Sequence, residues 1–238
     1  MRLTPLLALL AVLLPAGPAA ADITARYRTR AGETMIVEAN DRGDSRISRT
    51  SSAVLTTGGV SYVVTSDRSG AFAVRQDELL AEVGRQARER FPRRRNPLLL
   101  RAGIYRAVAT GTETAGGRAG VRWELRQRDG GVLGEDSEFV ISRERDLAPL
   151  GRALARQFSI ARYTMMTSDD PVGRLGAVPV SLHWHIRAGT VIRAGTLFSL
   201  ADVRAGPVPA SAFALPATIL PADRFLARAT WIRPRAVD

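Results

Sequence analysis

The strongest constraint on the fold is a run of short alternating segments between Thr34 and Val74. Near its start, Met35, Val37 and Ala39 would point to one side of an extended chain, and the polar residues between them to the other. The same period of two returns at 60–65. Segments of this kind are typical of antiparallel strands with one buried face. We therefore expect a chain built around an antiparallel sheet.

The first 21 residues have the pattern of a secretion signal. Arg2 supplies the positive charge, an apolar run from Leu6 to Leu14 follows, and small residues end at Ala21. The apolar run is too short to span a bilayer, so the mature chain is expected to begin at Asp22. The sequence contains no cysteine, which excludes both a lipid anchor at the cleavage point and stabilising disulfides. The expected location is the periplasm, as a soluble exported protein.

The formal net charge is +11, and all 34 basic residues are arginine. Two interpretations stay open: a genome that uses arginine in place of lysine, or an anionic partner such as lipid headgroups or cell-envelope polymers. The densest basic cluster is Arg93-Arg94-Arg95. We interpret it as a solvated loop, with contact to an anionic envelope surface as the alternative. Nucleic acid is not expected as a partner of an exported protein, and no later stretch is apolar enough to form a transmembrane segment.

Two stretches have the period of amphipathic helices. The first begins near Asp77 and ends before Pro92, and the second begins at Asp146 and carries an apolar stripe from Leu147 to Met165. An aspartate at each start is typical of a helix N-terminal cap. Further strands are predicted at 23–29, 45–50, 53–55, 71–74, 105–110, 121–126, 138–142, 178–186 and 196–203.

This order of elements predicts an α+β fold, in which a curved antiparallel sheet is covered on one face by about two main helices. A parallel sheet would need a helix between most consecutive strands. We expect residues 22–238 to form a single domain. The tail carries Phe225 and Trp231, so it is expected to dock on that domain.

The inventory of side chains excludes several enzyme classes. Without cysteine or lysine there is no thiol nucleophile, thiolate zinc site, Schiff base or Ser-x-x-Lys centre, and the chain has no phosphate-binding loop or dinucleotide fingerprint. The two histidines, His183 and His185, would share one face of a predicted strand, where they could ligate a metal or serve a hydrolase. Because no third ligand is identifiable, we predict no catalytic residue, no metal site and no cofactor, and a protein that is not an enzyme.

Several short stretches are familiar when taken together: Glu33 to Asp44, Gly59 to Val63, Thr110 to Gly117, Val121 to Leu125, Leu197 to Val203 and Phe213 to Pro216. They resemble a family of exported bacterial proteins with a lipoprotein-carrier-like fold, that of the periplasmic lipoprotein-localisation factor. The chain departs from the family in lacking its usual cysteine and in having Phe139 where tryptophan is frequent. The resemblance implies an unclosed β-barrel cupped over helices, with an apolar cavity that takes acyl chains in the best-known relatives.

The leading functional hypothesis is a non-catalytic binding module that holds a lipid, an acylated protein or another amphiphile by burial. Such burial is worth about 0.8 kcal/mol per CH₂ group. The candidate cavity-lining residues are Met35, Val37, Tyr62, Val64, Trp123 and Trp184. An ordinary core between sheet and helices is the alternative for each of them. The second hypothesis is an envelope structural or interaction protein with an arginine-rich surface and no ligand cavity.

Overall fold

A computed structural model describes residues 22–90, 105–127, 138–164 and 180–229 of the chain. These residues form a single curved, unclosed sheet of 12 strands with four α-helices. The strands are β1 Ile23–Thr29, β2 Thr34–Ala39, β3 Ser45–Ser48, β4 Ser52–Thr57, β5 Val60–Asp67, β6 Gly70–Arg75, β7 Tyr105–Ala115, β8 Arg118–Gln127, β9 Glu138–Ser142, β10 Thr190–Ala194, β11 Phe198–Ala205 and β12 Thr218–Ile219. The helices are α1 Gln76–Arg90, α2 Ala148–Thr164, α3 Val180–Arg187 and α4 Ala222–Arg228.

The predicted antiparallel sheet is confirmed, with more strands and more helices than the sequence indicated. The strand order is β12-β6-β5-β4-β3-β2-β1-β11-β10-β9-β8-β7. Neighbours are antiparallel except β12 and β6, which are parallel. The predicted secretion signal, the Arg93–Arg95 cluster and Trp231 lie outside the described residues. The boundaries of a single domain at 22–238 stay a prediction.

The first half of the sheet is a meander, and glycine shapes all of its turns except the one between β3 and β4. Gly58 and Gly59, between β4 and β5, have φ values of 54° and 81°. This left-handed conformation is costly for side-chain-bearing residues and is the one that a two-residue hairpin turn needs. The turn fixes Thr57 opposite Val60 and thus the register of the hairpin.

The pairing registers divide the sheet into two faces. Val37 of β2 pairs with Ile47 of β3, Ile47 pairs with Val54 of β4, and Val54 pairs with Val63 of β5. These four residues therefore lie on one face of the sheet. This face, which we call the inner face, carries α1 to α4 and holds the main core. The opposite, outer face carries a smaller apolar cluster in which Leu55 meets Val208 and Phe213 of the later chain.

The strand predicted at 178–186 is wrong, because Val180–Arg187 is the helix α3. Its apolar residues alternate in sequence, but Leu182 and Ile186 are also four residues apart, which places them on one side of a helix. Both are buried, whereas Trp184 is 67% exposed, as expected for a residue on the far side of a helix. His185 and Arg187 lie in the last turn, where positive charge is favourable.

The predictions for the second helix and the tail are confirmed where the structure describes them. Leu147, Leu150, Leu154 and Phe158 of the apolar stripe are all buried in the main core. Asp146, predicted as the helix cap, instead lies within a short 3₁₀ turn that precedes α2. In the tail, Phe225 of α4 is completely buried.

Candidate interaction surface

The helices α2 and α3 pack against each other on the inner face of the sheet. Two glycines allow the segment that follows α3 to lie close to α2 and to the end of β9. A Cβ atom on Gly151 would lie 2.6 Å from the Thr190 hydroxyl, and one on Gly189 would lie 2.6 Å from the Ser142 carbonyl oxygen. The Thr190 hydroxyl also donates a hydrogen bond of 2.8 Å to the Leu147 carbonyl, which ties the start of the helical layer to β10. The two helices therefore form one layer with a shared outward surface.

Basic and aromatic side chains dominate this outward surface. Arg152 and Arg156 of α2 are four residues apart and both exposed, as are Trp184 and Arg187 of α3. The sequences of α2 and α3 contain no aspartate or glutamate. We call Arg143, Arg152, Arg156, Trp184 and Arg187 the arginine–tryptophan surface. Within the described part of the chain, none of its four arginines forms an ion pair.

The nearest acidic residues are already occupied. Glu144 and Asp146, at the start of the helical layer, both pair with Arg118 of β8, at 2.5 Å and 2.7 Å. The Glu144 carboxylate also accepts a hydrogen bond from the Ala119 amide. Arg143 is next to these residues in the chain and forms no ion pair among the described residues, so no described carboxylate neutralises the positive charge of the surface.

His185 attaches α3 to the sheet and adds little charge to the surface. Its ring stacks on the Trp123 indole of β8, with centroids 3.7 Å apart and an interplanar angle of 26°. Partial burial, and secondarily the positive charge of Arg143, lower the pKa of His185. At neutral pH the imidazole is therefore held in its uncharged, stacking form.

The expectation that His183 and His185 share one face is wrong, because α3 is a helix. Residues two apart on a helix are separated by about 200° around its axis and cannot both reach a single metal. Among the described residues, no group of three or more His, Cys, Asp or Glu side chains could hold a metal ion. Within the same residues, no helix has the length and apolar character to cross a membrane.

The structure does not bring the six candidate cavity-lining residues together. Met35 and Val37 are buried in the main core, at 3% and 0% exposure. Tyr62 and Val64 lie on the outer face, where Val64 packs against the Leu55 cluster.

The two tryptophans of that set lie at a different place, on and beneath α3. Trp123 is half-buried under His185, and Trp184 projects outward as part of the arginine–tryptophan surface. A cavity-lining role for all six residues stays a prediction.

A concavity of about 250 Å³ lies at another place, between β5, β6 and α4. Two of its charged groups pair with each other, since the Arg228 guanidinium donates to both Asp67 carboxylate oxygens, at 2.6 Å and 2.8 Å. This pairing lowers the pKa of Asp67 to about 2. The guanidinium carbon also lies 4.1 Å from the centre of the Phe72 ring. We interpret the residues around this concavity as a structural contact that holds α4 against the sheet.

The arginine–tryptophan surface was not identified from the sequence, although a signal was present. No acidic residue occurs between Asp146 and Asp169, while arginines recur four residues apart at Arg152 and Arg156. An amphipathic helix whose polar face has a single sign of charge is typical of a helix that meets an anionic surface. The placement of Trp184 beside it depends on α3 being a helix.

No protein-family model matches the chain, and a comparison with curated proteins finds no match. Among solved structures, the chain is similar to the crystal structure of MucB, with a TM-score of 0.32 and 15% sequence identity. The alignment covers 84% of this chain and 58% of that one, so the chain spans less than two thirds of MucB. A likeness of this strength carries no functional argument. Membership of the lipoprotein-carrier-like family stays a prediction.

Proposed function

We propose that this protein is a non-catalytic interaction module that works outside the cytoplasm and binds anionic amphiphile surfaces reversibly. The observation that carries the proposal is the arginine–tryptophan surface, which combines an indole that is 67% exposed with four arginines that form no ion pair among the described residues. Tryptophan is favoured at the boundary between headgroups and acyl chains, and arginine beside it attracts anionic headgroups.

The strength of such binding follows from the number of charges. Each arginine near an anionic membrane contributes about 1 kcal/mol, and the effect decays within a Debye length of about 8 Å at physiological salt. Four arginines and one indole therefore predict weak, salt-sensitive and reversible association. A protein with this affinity would bind the surface transiently and dissociate from it readily.

Carriage of an acyl chain between sheet and helices, as the family resemblance implies, is the competing proposal. It is less well supported because Met35 and Val37 pack among the side chains of the main core. An amphiphile would have to displace part of that core, at a cost of several kcal/mol for large buried side chains. The surface proposal requires no such rearrangement.

The test is co-sedimentation of the mature chain with vesicles of phosphatidylcholine alone or mixed with phosphatidylglycerol. We expect binding to the anionic vesicles only, with loss at high salt. The double variant Arg152→Gln/Arg156→Gln and the single variant Trp184→Ala should each weaken binding. The matched control is Arg26→Gln/Arg28→Gln, which removes two exposed arginines from the outer face.

Three outcomes separate the proposals. Equal loss of binding in the control and in the Arg152/Arg156 variant would mean that net charge, and not this surface, is responsible. A lipid that co-purifies with the protein in native mass spectrometry, and persists in the Arg152/Arg156 variant, would favour the acyl-chain carrier. Loss of binding only on neutralising Arg93, Arg94 and Arg95 would move the interface to that cluster.

Export itself is part of the proposal and is tested separately. Intact mass measurement of the protein recovered from its own cells should show a chain that begins at Asp22. A chain that retains residues 1–21 would contradict both the secretion signal and the periplasmic location.

A further inference from the structure

We propose that binding at the arginine–tryptophan surface is coupled to protonation of His185, so that this surface holds an anionic headgroup more tightly as the surroundings become acidic. The coupling rests on the function proposed above and determines when the surface binds. His185 lies in the last turn of α3, between the exposed Trp184 and the buried Ile186. Its partly exposed ring is therefore at the boundary between the sheet and the arginine–tryptophan surface.

The imidazole of His185 is held in place by stacking. Its centroid lies 3.7 Å from that of the Trp123 ring, and among the described residues it forms no hydrogen bond or ion pair. The face of an indole also attracts a cation, so the protonated ring can keep the same place. Protonation therefore adds a positive charge beside the surface without breaking the contact between α3 and β8.

The charged residues of the strands beneath α3 point away from His185. Side chains alternate along β8, so Trp123 lies on one face, and on the other face lie Arg118, Arg122, Glu124 and Arg126. The charged residues of the neighbouring strands pair with positions of that other face, or with the partners of such positions: Arg106, Glu113, Glu138 and Arg193. None of these groups sets the charge of the imidazole directly.

Arg143, at the end of β9, is the described charge that opposes protonation of His185. Partial burial, and after it the positive charge of Arg143, hold the pKa of His185 below its ordinary value. The 3₁₀ turn and α2 carry further basic residues, and α3 itself carries two more titratable or charged groups: Arg145, Arg152, Arg156, His183 and Arg187. Glu144 and Asp146, next to Arg143 in the chain, both pair with Arg118. The neutral imidazole is therefore favoured while the surface is empty.

An anionic headgroup at this surface reverses the balance. A phosphate bound by Arg143 neutralises the charge that opposes the imidazolium, and its own negative charge favours the protonated form. The pKa of His185 must therefore rise on binding and, by reciprocity, the headgroup binds more tightly to the protonated protein. The gain is fully present below the pKa of the free protein, and it is lost as the pH rises through the higher pKa of the complex.

The size of the effect is that of one added charge. One basic group at an anionic membrane surface tightens binding roughly fivefold. The chain has no cysteine or lysine, so His183 and His185 are the two side chains whose ordinary pKa, about 6.5, lies between about pH 5 and 7.5. A phosphodiester headgroup stays ionised throughout this range. A change of affinity with pH can therefore be assigned to a single residue.

The test measures co-sedimentation of the mature chain with vesicles of phosphatidylcholine and phosphatidylglycerol at about pH 7.5 and about pH 5. We expect the dissociation constant to fall roughly fivefold at the acidic pH. His185→Gln and His185→Phe should both abolish this change, and His185→Phe keeps an aromatic ring that can stack on Trp123. The matched control is His183→Gln, which removes the other histidine of α3 and should retain the pH dependence.

The outcomes separate this coupling from the proposed function. Wild-type binding at both pH values with unchanged affinity would overturn the coupling and leave the proposed function standing. The same pH dependence in the His185 variants as in the wild type would also overturn the coupling. Absence of binding at either pH would contradict the proposed function, and the coupling would fall with it.

Proton NMR tests the coupling in the intact protein, because two histidines give few ring signals. The His183→Gln spectrum assigns the signal of His185. Its pKa should rise in micelles of a short-chain phosphatidylglycerol and stay unchanged in phosphatidylcholine micelles. Arg143→Gln should raise the pKa of His185 in the free protein, because the opposing charge is removed. A pKa of His185 that is the same with phosphatidylglycerol micelles as without them would overturn the proposal.

Discussion

Replacement of Phe225 by alanine tests how the C-terminal segment is attached to the sheet. Phe225 is completely buried in a cluster with Val63, Phe72, Val74 and Leu79. Its ring meets that of Phe72 at a centroid distance of 5.3 Å and an angle of 64°, an edge-to-face arrangement. The segment brings β12 to the edge of β6, where the Leu220 amide donates to the Ala73 carbonyl at 2.8 Å.

The expected cost comes from the cavity that the substitution would leave. Truncation of a fully buried phenylalanine to alanine lowers the free energy of unfolding by about 3–5 kcal/mol. The loss of the ring pair with Phe72 is part of this figure, at about 0.5–1.5 kcal/mol. In a chain of this size, such a loss lowers the melting temperature by roughly 10 °C, since each kcal/mol corresponds to about 2–4 °C.

Urea denaturation followed by tryptophan fluorescence measures the loss of global stability, and hydrogen exchange over 218–228 measures local undocking. If α4 belongs to the cooperative unit, the urea midpoint falls; if it undocks alone, its amides lose protection while the midpoint stays. The control is Arg224→Ala, an exposed residue on the same helix, with an expected change within about 0.5 kcal/mol. A loss below about 1 kcal/mol with unchanged exchange would refute the proposed docking.

Two further predictions concern the helical layer. Gly151→Ala would place a Cβ atom 2.6 Å from the Thr190 hydroxyl and 2.7 Å from the Gly189 carbonyl oxygen. We expect this crowding to lower the free energy of unfolding, measured by thermal unfolding, by about 1–3 kcal/mol. An unchanged melting temperature would contradict the close packing of α2 on the turn after α3. The lowered pKa of His185 means that the unfolded chain binds a proton more readily, so stability is fully present above a pH of about 6.5 and is lost as the pH falls below it. The His185→Gln variant should show a flatter urea midpoint between about pH 5 and 7.5, and an unchanged slope would exclude this histidine as the cause.

The meander and the second helix could be predicted because local rules determine them. Alternation identified β1, β2 and β5, and the glycine pair after Thr57 marked the hairpin. The apolar stripe of α2 was long enough to have only one interpretation. In α3, the alternation of four apolar residues fits both a strand and a helix of eight residues, and the choice depends on packing that one sequence does not reveal.

Which residues share a face of the sheet could not be predicted from the sequence, so the six candidate cavity-lining residues could not be assigned to one face. Whether Tyr62 shares a face with Val37 depends on the exact length of each intervening turn, since one residue reverses every side chain. The pairing of β1 with β11 and the two-residue β12 likewise arise from contacts distant in sequence. The candidate surface was therefore identified only after α3 had been placed.

The central position of β1 determines when this protein can finish folding. Strands β2 to β6 are neighbours in sequence and can assemble as they emerge, but the other side of β1 must wait for β11. The Asp22 carbonyl and carboxylate also accept hydrogen bonds from Gly206 and Val208, which joins the start of β1 to the segment that follows β11. Contacts of this separation slow folding. A chain that emerges from the ribosome N-terminus first therefore carries an open β1 edge until most of it has been made, and this interval is when it is most exposed to aggregation.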